Sequence, residues 1–209
     1  MRILLPAQEA QLLSAVGLRS PFGARDHALI RFAVHTGLRS AELCSLNVGH
    51  VYTWDGFARE WLDLVGKGGR SRQLPLNSSA RRAVVDLVAF NRARGFAVAG
   101  ESPLLVTRCH KRLPTRSLRD IVQKYRERAS LDVKCSPHTF RHSFASRLAA
   151  CAPLPVVQAA LGHVRLASTQ VYTHVTPDQL AAGVQRLGGS KAPLRPRPAD
   201  PSGPIRPGQ

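Results

Sequence analysis

Acidic residues are scarce in this sequence. Thirteen Asp and Glu stand against 30 Lys and Arg, a net charge of +17 over 209 residues. Such an excess points to a polyanionic partner, with nucleic acid ahead of an acidic membrane surface. The Pro- and Gly-rich end supplies only Lys191, Arg195, Arg197 and Arg206 against Asp200, so most of the excess belongs to the residues before it. Long apolar runs are missing too: no stretch of about 18 apolar residues is present to span a bilayer. The start, MRILLPAQEAQLL, meets Glu9 and glutamines at once and reads as a helix beginning after Pro6, not as a secretory signal. Cys44, Cys109, Cys135 and Cys151 are scattered without CxxC spacing, which favours reduced thiols in a cytosolic protein over a disulfide framework. Tyrosines number three.

What remains is globular. Hydrophobic residues make up 44% of the chain, and the length suits one domain with a real core. The fold class expected is α+β and mostly helical. Residues 6–17 place Ala10, Leu13 and Val16 on one helical face, and 24–36 carry Leu29, Ile30, Phe32 and Ala33 with Gly37 as a stop. A short helix in SAELCSL takes Ser40 as its cap. The period then changes: HVYTW, EWLDLV and SRQLPL are β-like, with KGGR as a hairpin turn, predicting one small antiparallel three-stranded sheet. Helices resume at 78–94, 115–129, 137–150 after the Ser136-Pro137 start signal, and from Pro155 to Gly162. Thr176-Pro177-Asp178-Gln179 reads as a capping box for a last helix with Leu180, Val184 and Leu187 in a stripe. The domain is thus expected over 1–187, followed by a disordered basic tail over 188–209.

Chemistry-bearing residues gather in the second half. His138 and Arg141 are three apart in the helix 137–150 and share a face, with His142 one position around. His138 and His142 have the i, i+4 spacing of a metal pair. The zinc-protease pattern would need a Glu between them, however, and no third ligand has matching spacing, so no metal and no cofactor are expected. A metal-dependent integrase would need a carboxylate triad, and the few acids offer no convincing one. Tyr172 lies in STQVYTHV, nine residues after His163, while Tyr52 and Tyr125 sit where core packing explains them.

Four strings occur in order: TGLRSAEL (36–43), GKGGRSRQLPL (66–76), SPHTFRHSFASRL (136–148) and LGHVRLASTQVYTHV (161–175). Together they resemble the catalytic domain of the tyrosine recombinases, the group of phage integrases, Xer-type resolvases, integron integrases and fimbrial inversion recombinases. The resemblance runs from about Leu4 to Leu187. It implies that Arg39 and Arg141 are the two catalytic arginines. Two guanidiniums can hold both non-bridging oxygens of a phosphate and neutralise charge growing in the transition state. It implies further that Lys67 on the hairpin is the general acid for the leaving oxygen, a contribution of about 10²–10⁴ in rate. His138 resembles the acid/base residue, His163 the residue that hydrogen-bonds the phosphate, and Tyr172 the nucleophile. Glu42 matches an acidic residue that orients Arg39, although a favourable charge in a helix's first turn would also explain it. His142 and His174 have no such assignment and are read as structural.

The activity implied is site-specific DNA recombination through a 3′-phosphotyrosine, without metal or ATP. DNA contacts beyond the site are expected from Arg70 and Arg72 on the hairpin and from the basic run Arg108, Lys111, Arg112, Arg116 and Arg119. If these are mainly phosphate contacts, affinity falls steeply with salt. Implied partners are double-stranded DNA and further copies of the chain, a tetramer docking through 177–187. The expected location is the bacterial cytoplasm, at the nucleoid. Most of the family carries a helical domain that clamps the other face of DNA. Here the sequence begins directly at the catalytic domain, and a short form like the fimbrial inversion recombinases is expected. The alternatives are a DNA-binding regulator without recombination and a type IB topoisomerase acting on one duplex.

Overall fold

Gly37 ends the central helix of the fold in the left-handed region, at φ 60°, and a Cβ there would lie 2.6 Å from the ring of Phe144. Only glycine meets both conditions, so the chain turns sharply at the point where the catalytic arginines were expected. The structure is a computed structural model that describes residues 3–65, 71–162 and 176–188. The helix that Gly37 closes, α2 (Gly23–Thr36), packs against α5 (Ser78–Ala93) and α7 (Pro137–Ala149). Leu29, Ile30, Phe32 and Val34 are fully buried between them, together with Phe140 and Phe144 of α7 and Val84 and Leu87 of α5. Side chains of this size each contribute about 1.5–3 kcal/mol on full burial.

Around this centre stand α1 (Pro6–Ser14), α3 (Ser40–Ser45), α4 (Val48–Val51), α6 (Thr115–Arg128), α8 (Leu154–Leu161) and α9 (Pro177–Arg186). Strands β1 (Trp61–Val65) and β2 (Ser71–Pro75) pair antiparallel, with Leu62 opposite Leu74 and Leu64 opposite Arg72. The mostly helical architecture with a small antiparallel sheet is as the sequence predicts, but among the described residues the sheet has two strands and not three. The missing strand is HVYTW. Val48 and Val51 are buried on one turn of helix, and the amides of Val48 and Gly49 bond to the carbonyls of Ser102 and Gly100. Tyr52 keeps only an isolated bridge to Ala58, and Thr53 closes the next turn through Phe57.

Other boundaries shift for local reasons. Of the face expected on the first helix, Val16 is buried and Leu13 packs against the core, but Ala10 is exposed and Leu12 and Glu9 turn inward, Glu9 reaching Arg147 at 2.7 Å and His35 at 3.2 Å. Helix α3 is capped by Arg39, with Ser40 its first residue: the Glu42 carboxylate accepts from the Arg39 amide at 2.8 Å. Ser136 caps α7 as expected, accepting from the Thr139 amide. The Thr176–Gln179 box starts α9.

The apolar stripe of α9 is covered by its own chain. Leu180 and Val184 are buried, and a Cβ on Gly183 would meet Val156 and Ala152 of the α8 region at 3.0 and 3.1 Å. Arg186 donates to the carbonyl of Cys151. Of the tail expected over 188–209, Gly188 is held, its carbonyl accepting from Ser78 and its amide donating to the Gln185 carbonyl, while 189–209 lie outside the described residues. Cys44 and Cys135 are buried, Cys151 is half-buried and Cys109 exposed, all as free thiols.

Candidate active site

The end of α2, the cap of α3, the strand β2 and the helix α7 meet at a cluster of guanidiniums around one carboxylate. Glu42 accepts two parallel bonds from Arg72, Nη1 to Oε1 at 2.8 Å and Nη2 to Oε2 at 2.9 Å. It also accepts from Arg39 Nη1 at 3.0 Å. The Arg39 side chain stays 47% exposed with its Nη1 on Glu42. Glu42 makes these contacts from the first turn of α3, and the geometry suits either an orienting role or a local capping one.

Arg141 is buried at 7% exposure. Its Nη1 donates to the Gly37 carbonyl at 2.8 Å and its Nη2 to the Leu161 carbonyl at 2.6 Å, tying the C-terminal ends of α2 and α8 to α7. Carbonyls at helix ends lack intrahelical donors and carry the negative end of the dipole, so they suit a guanidinium. Burial first, and then the charge of Arg39, push the Arg141 pKa down to about 10, which leaves it charged at neutral pH. Gly162, at φ 63°, follows Leu161 and packs on Arg72, where a Cβ would lie 2.8 Å from Arg72 Cδ. Two of the predicted catalytic residues, Arg39 and Arg141, are thus brought into one electrostatic field, with Glu42 between them and Arg72.

The Glu42 carboxyl is strongly perturbed. Burial alone would raise it, but the bonds from Arg72 and from the Arg39 amide outweigh this and bring it down to about 2. A carboxyl whose folded pKa is depressed stabilises the fold above its unfolded value, and loses that contribution as pH falls through the folded one. Glu42→Gln is therefore expected to lower stability by about 3 kcal/mol at neutral pH. The gap should narrow between about pH 4.5 and pH 2, where wild type takes up the proton. Thermal melting of both proteins across that range checks it, and a gap independent of pH would contradict the arrangement.

His138 is exposed near the start of α7, one turn before Arg141. Its ring stands edge-on to His142, with Nε2 atoms 3.0 Å apart. Lys67, Arg70, His163 and Tyr172 lie outside the described residues. Of the expected DNA contacts, Lys111, Arg116 and Arg119 are exposed and make no ion pair among the described residues. Arg108 is also exposed, with its guanidinium over the Phe22 ring at 5.6 Å.

Arg72 and Arg112 also carry hydrogen bonds within the chain. Arg112 donates to the carbonyls of Cys44 and Leu46 and to Asn47 Oδ1, and Arg72 is held on Glu42. Arg72 is the member of the site that sequence reasoning assigned to DNA. The available signal was alternation: Arg72 and Leu74, two apart, share one face of β2.

A helical domain that gathers Arg39 and Arg72 on the Glu42 carboxylate, with buried Arg141 beside them, offers a concentrated positive site to an anionic group. The chain belongs to the phage integrase family, whose family model matches residues 2–179. Among curated relatives it is 41% identical over 184 residues to tyrosine recombinase XerC of Pelotomaculum thermopropionicum, covering 86% of this chain and 59% of the relative. It is 34% identical over 189 residues to tyrosine recombinase XerD of Bifidobacterium longum, with 85% and 59% covered. The chain therefore spans somewhat under two thirds of the length of these relatives.

Solved structures give the same fold. The integrase from mycobacterium phage Brujita superposes with a TM-score of 0.65 at 25% identity, covering 96% of this chain and 61% of that one. XerH recombinase bound to its difH substrate gives 0.64 at 25% identity, covering 78% and 47%. These relatives do not establish the narrower likeness to fimbrial inversion recombinases. No helix among the described residues is long and apolar enough to cross a membrane.

Proposed function

We propose that this chain is the catalytic part of a site-specific DNA recombinase that cleaves and rejoins one strand through a 3′-phosphotyrosine. The observation that carries the proposal is the Arg39–Glu42–Arg72 network beside buried Arg141, in a chain that keeps a tyrosine at Tyr172. In the step proposed, the Tyr172 oxygen attacks the scissile phosphorus as its proton passes to His138. The bond to the 5′ oxygen breaks, and Lys67 protonates that oxygen. Arg39, Arg141 and His163 hold the non-bridging oxygens while charge accumulates on them. A 5′ hydroxyl from the partner duplex then attacks the phosphotyrosine, restores the tyrosine and joins the new strands. The link conserves the bond energy, so the sequence of steps needs no nucleotide hydrolysis.

Arg70, Lys111, Arg116 and Arg119 are proposed to grip the phosphate backbone. Arg72 braces Glu42, and Arg112, although exposed, ties down the segment after α3 through the Cys44 and Leu46 carbonyls. Strand exchange between two duplexes needs several protomers, and we take DNA plus further copies of the chain as the partners. Contact through 177–187 would require α9 to exchange its packing on its own chain for that of a neighbour.

The proposal is tested on a nicked suicide DNA substrate that releases a short fragment on cleavage. Wild-type protein is expected to form an adduct that survives SDS in buffer containing a chelator. Specific binding of the same site without any adduct would favour a DNA-binding regulator instead.

A further inference from the structure

His142 was read as structural, yet it touches the side chain assigned to proton transfer. Its Nε2 lies 3.0 Å from Nε2 of His138, with ring centroids 4.4 Å apart and planes at 83°. The i, i+4 spacing on α7 brings the two rings together. A hydrogen bond between two imidazole nitrogens requires one proton and one lone pair, so only one of the two Nε2 atoms carries hydrogen. Among the described residues no third His, Cys, Asp or Glu gathers with them as in a metal site.

We propose that His142 is a positioning residue for His138: the proton shared between their Nε2 atoms fixes the His138 ring and leaves its Nδ1 for the substrate. This rests on the recombinase reading for its meaning, though not for its geometry. When the shared proton sits on His138 Nε2, His138 Nδ1 has a free lone pair and can accept the proton of the attacking tyrosine. The pair then carries one positive charge. Transfer of the shared proton to His142 Nε2 moves that charge onto His142, and His138 becomes a neutral donor through Nδ1–H. No proton is gained or lost in this exchange.

A second proton on the pair would place two cations in contact beside Arg141, at the positive end of α7. The His142 pKa is lowered, by burial first and then by His138 and Arg141. These causes disfavour charge on His142, so the charged form of the pair rests mainly on His138, with His142 accepting at Nε2.

Two measurements test this. In the free protein, ring-nitrogen NMR of the two histidines should show coupled titration, and His142→Phe should leave His138 titrating alone. His142→Gln carries the same comparison if the Phe variant does not fold. On the suicide substrate, His142→Phe should cleave about tenfold or more slowly with unchanged DNA affinity, a share of the usual acid–base contribution. Its rate–pH profile should also be displaced from wild type. His142→Gln can hold the ring but cannot take a proton, so it should regain rate without regaining the wild-type profile.

Independent titration of the two rings in wild type would overturn the proposal whatever the activity shows. So would a His142→Phe profile that superimposes on wild type. Absence of any adduct with wild type would instead count against the recombinase reading, and the NMR comparison would still decide the pair.

Discussion

Tyr172→Phe is expected to bind the suicide substrate as wild type does and to form no covalent adduct, a loss of at least about 10⁴-fold in cleavage. The substitution removes one oxygen and nothing else, so loss of the adduct with retained binding isolates the nucleophile. The other two tyrosines are poorly placed to substitute. The Tyr125 ring is fully buried, and its hydroxyl donates to Asp26 Oδ2 at 2.9 Å. Burial, then the Asp26 charge, push that hydroxyl up to about 12, away from nucleophilic use. Tyr52 packs against the core beneath the Arg92 guanidinium. An adduct formed by the Phe variant would move the nucleophile elsewhere.

Arg141→Lys is expected to damage both chemistry and fold. The guanidinium bridges the carbonyls of Gly37 and Leu161 from one planar group. An ammonium on a flexible stem cannot match that fork, and it leaves one buried carbonyl without its donor. Loss of such a charged hydrogen bond costs about 1.5–3 kcal/mol. Loss of the preorganised donor at the phosphate costs about 10²–10³ in cleavage rate. Single-turnover cleavage and thermal melting measure the two effects separately. A lysine variant that cleaves at nearly the wild-type rate would show that Arg141 only braces the helices.

Much of this was legible in the sequence because local chemistry and tertiary demand agree there. Ser136-Pro137, Thr176-Pro177 and Gly37 announce helix ends through caps and a left-handed turn, and the structure keeps them. HVYTW misled because its β-branched and aromatic residues fit a strand in isolation. Pairing with the backbone of Gly100 and Ser102 and burial of Val48 and Val51 prevailed over that propensity. The motif strings located Arg39 and Arg141, but no local pattern showed that Glu42 holds Arg72, 30 positions away, through two bonds. The partnership of His138 and His142 was visible as a spacing, while its meaning depended on ring orientation. Likewise the stripe on α9 revealed that something covers Leu180 and Val184, and only the three-dimensional packing showed that α9 lies on the chain's own α8 and β2.

The central claim is the covalent link, and proteolysis of the SDS-stable adduct followed by mass spectrometry tests it most directly. The account predicts nucleotide mass on the peptide containing Tyr172, attached through the 3′ phosphate, with a free 5′ hydroxyl on the released strand. A nucleotide on any other residue, or a 5′-linked product, would contradict it.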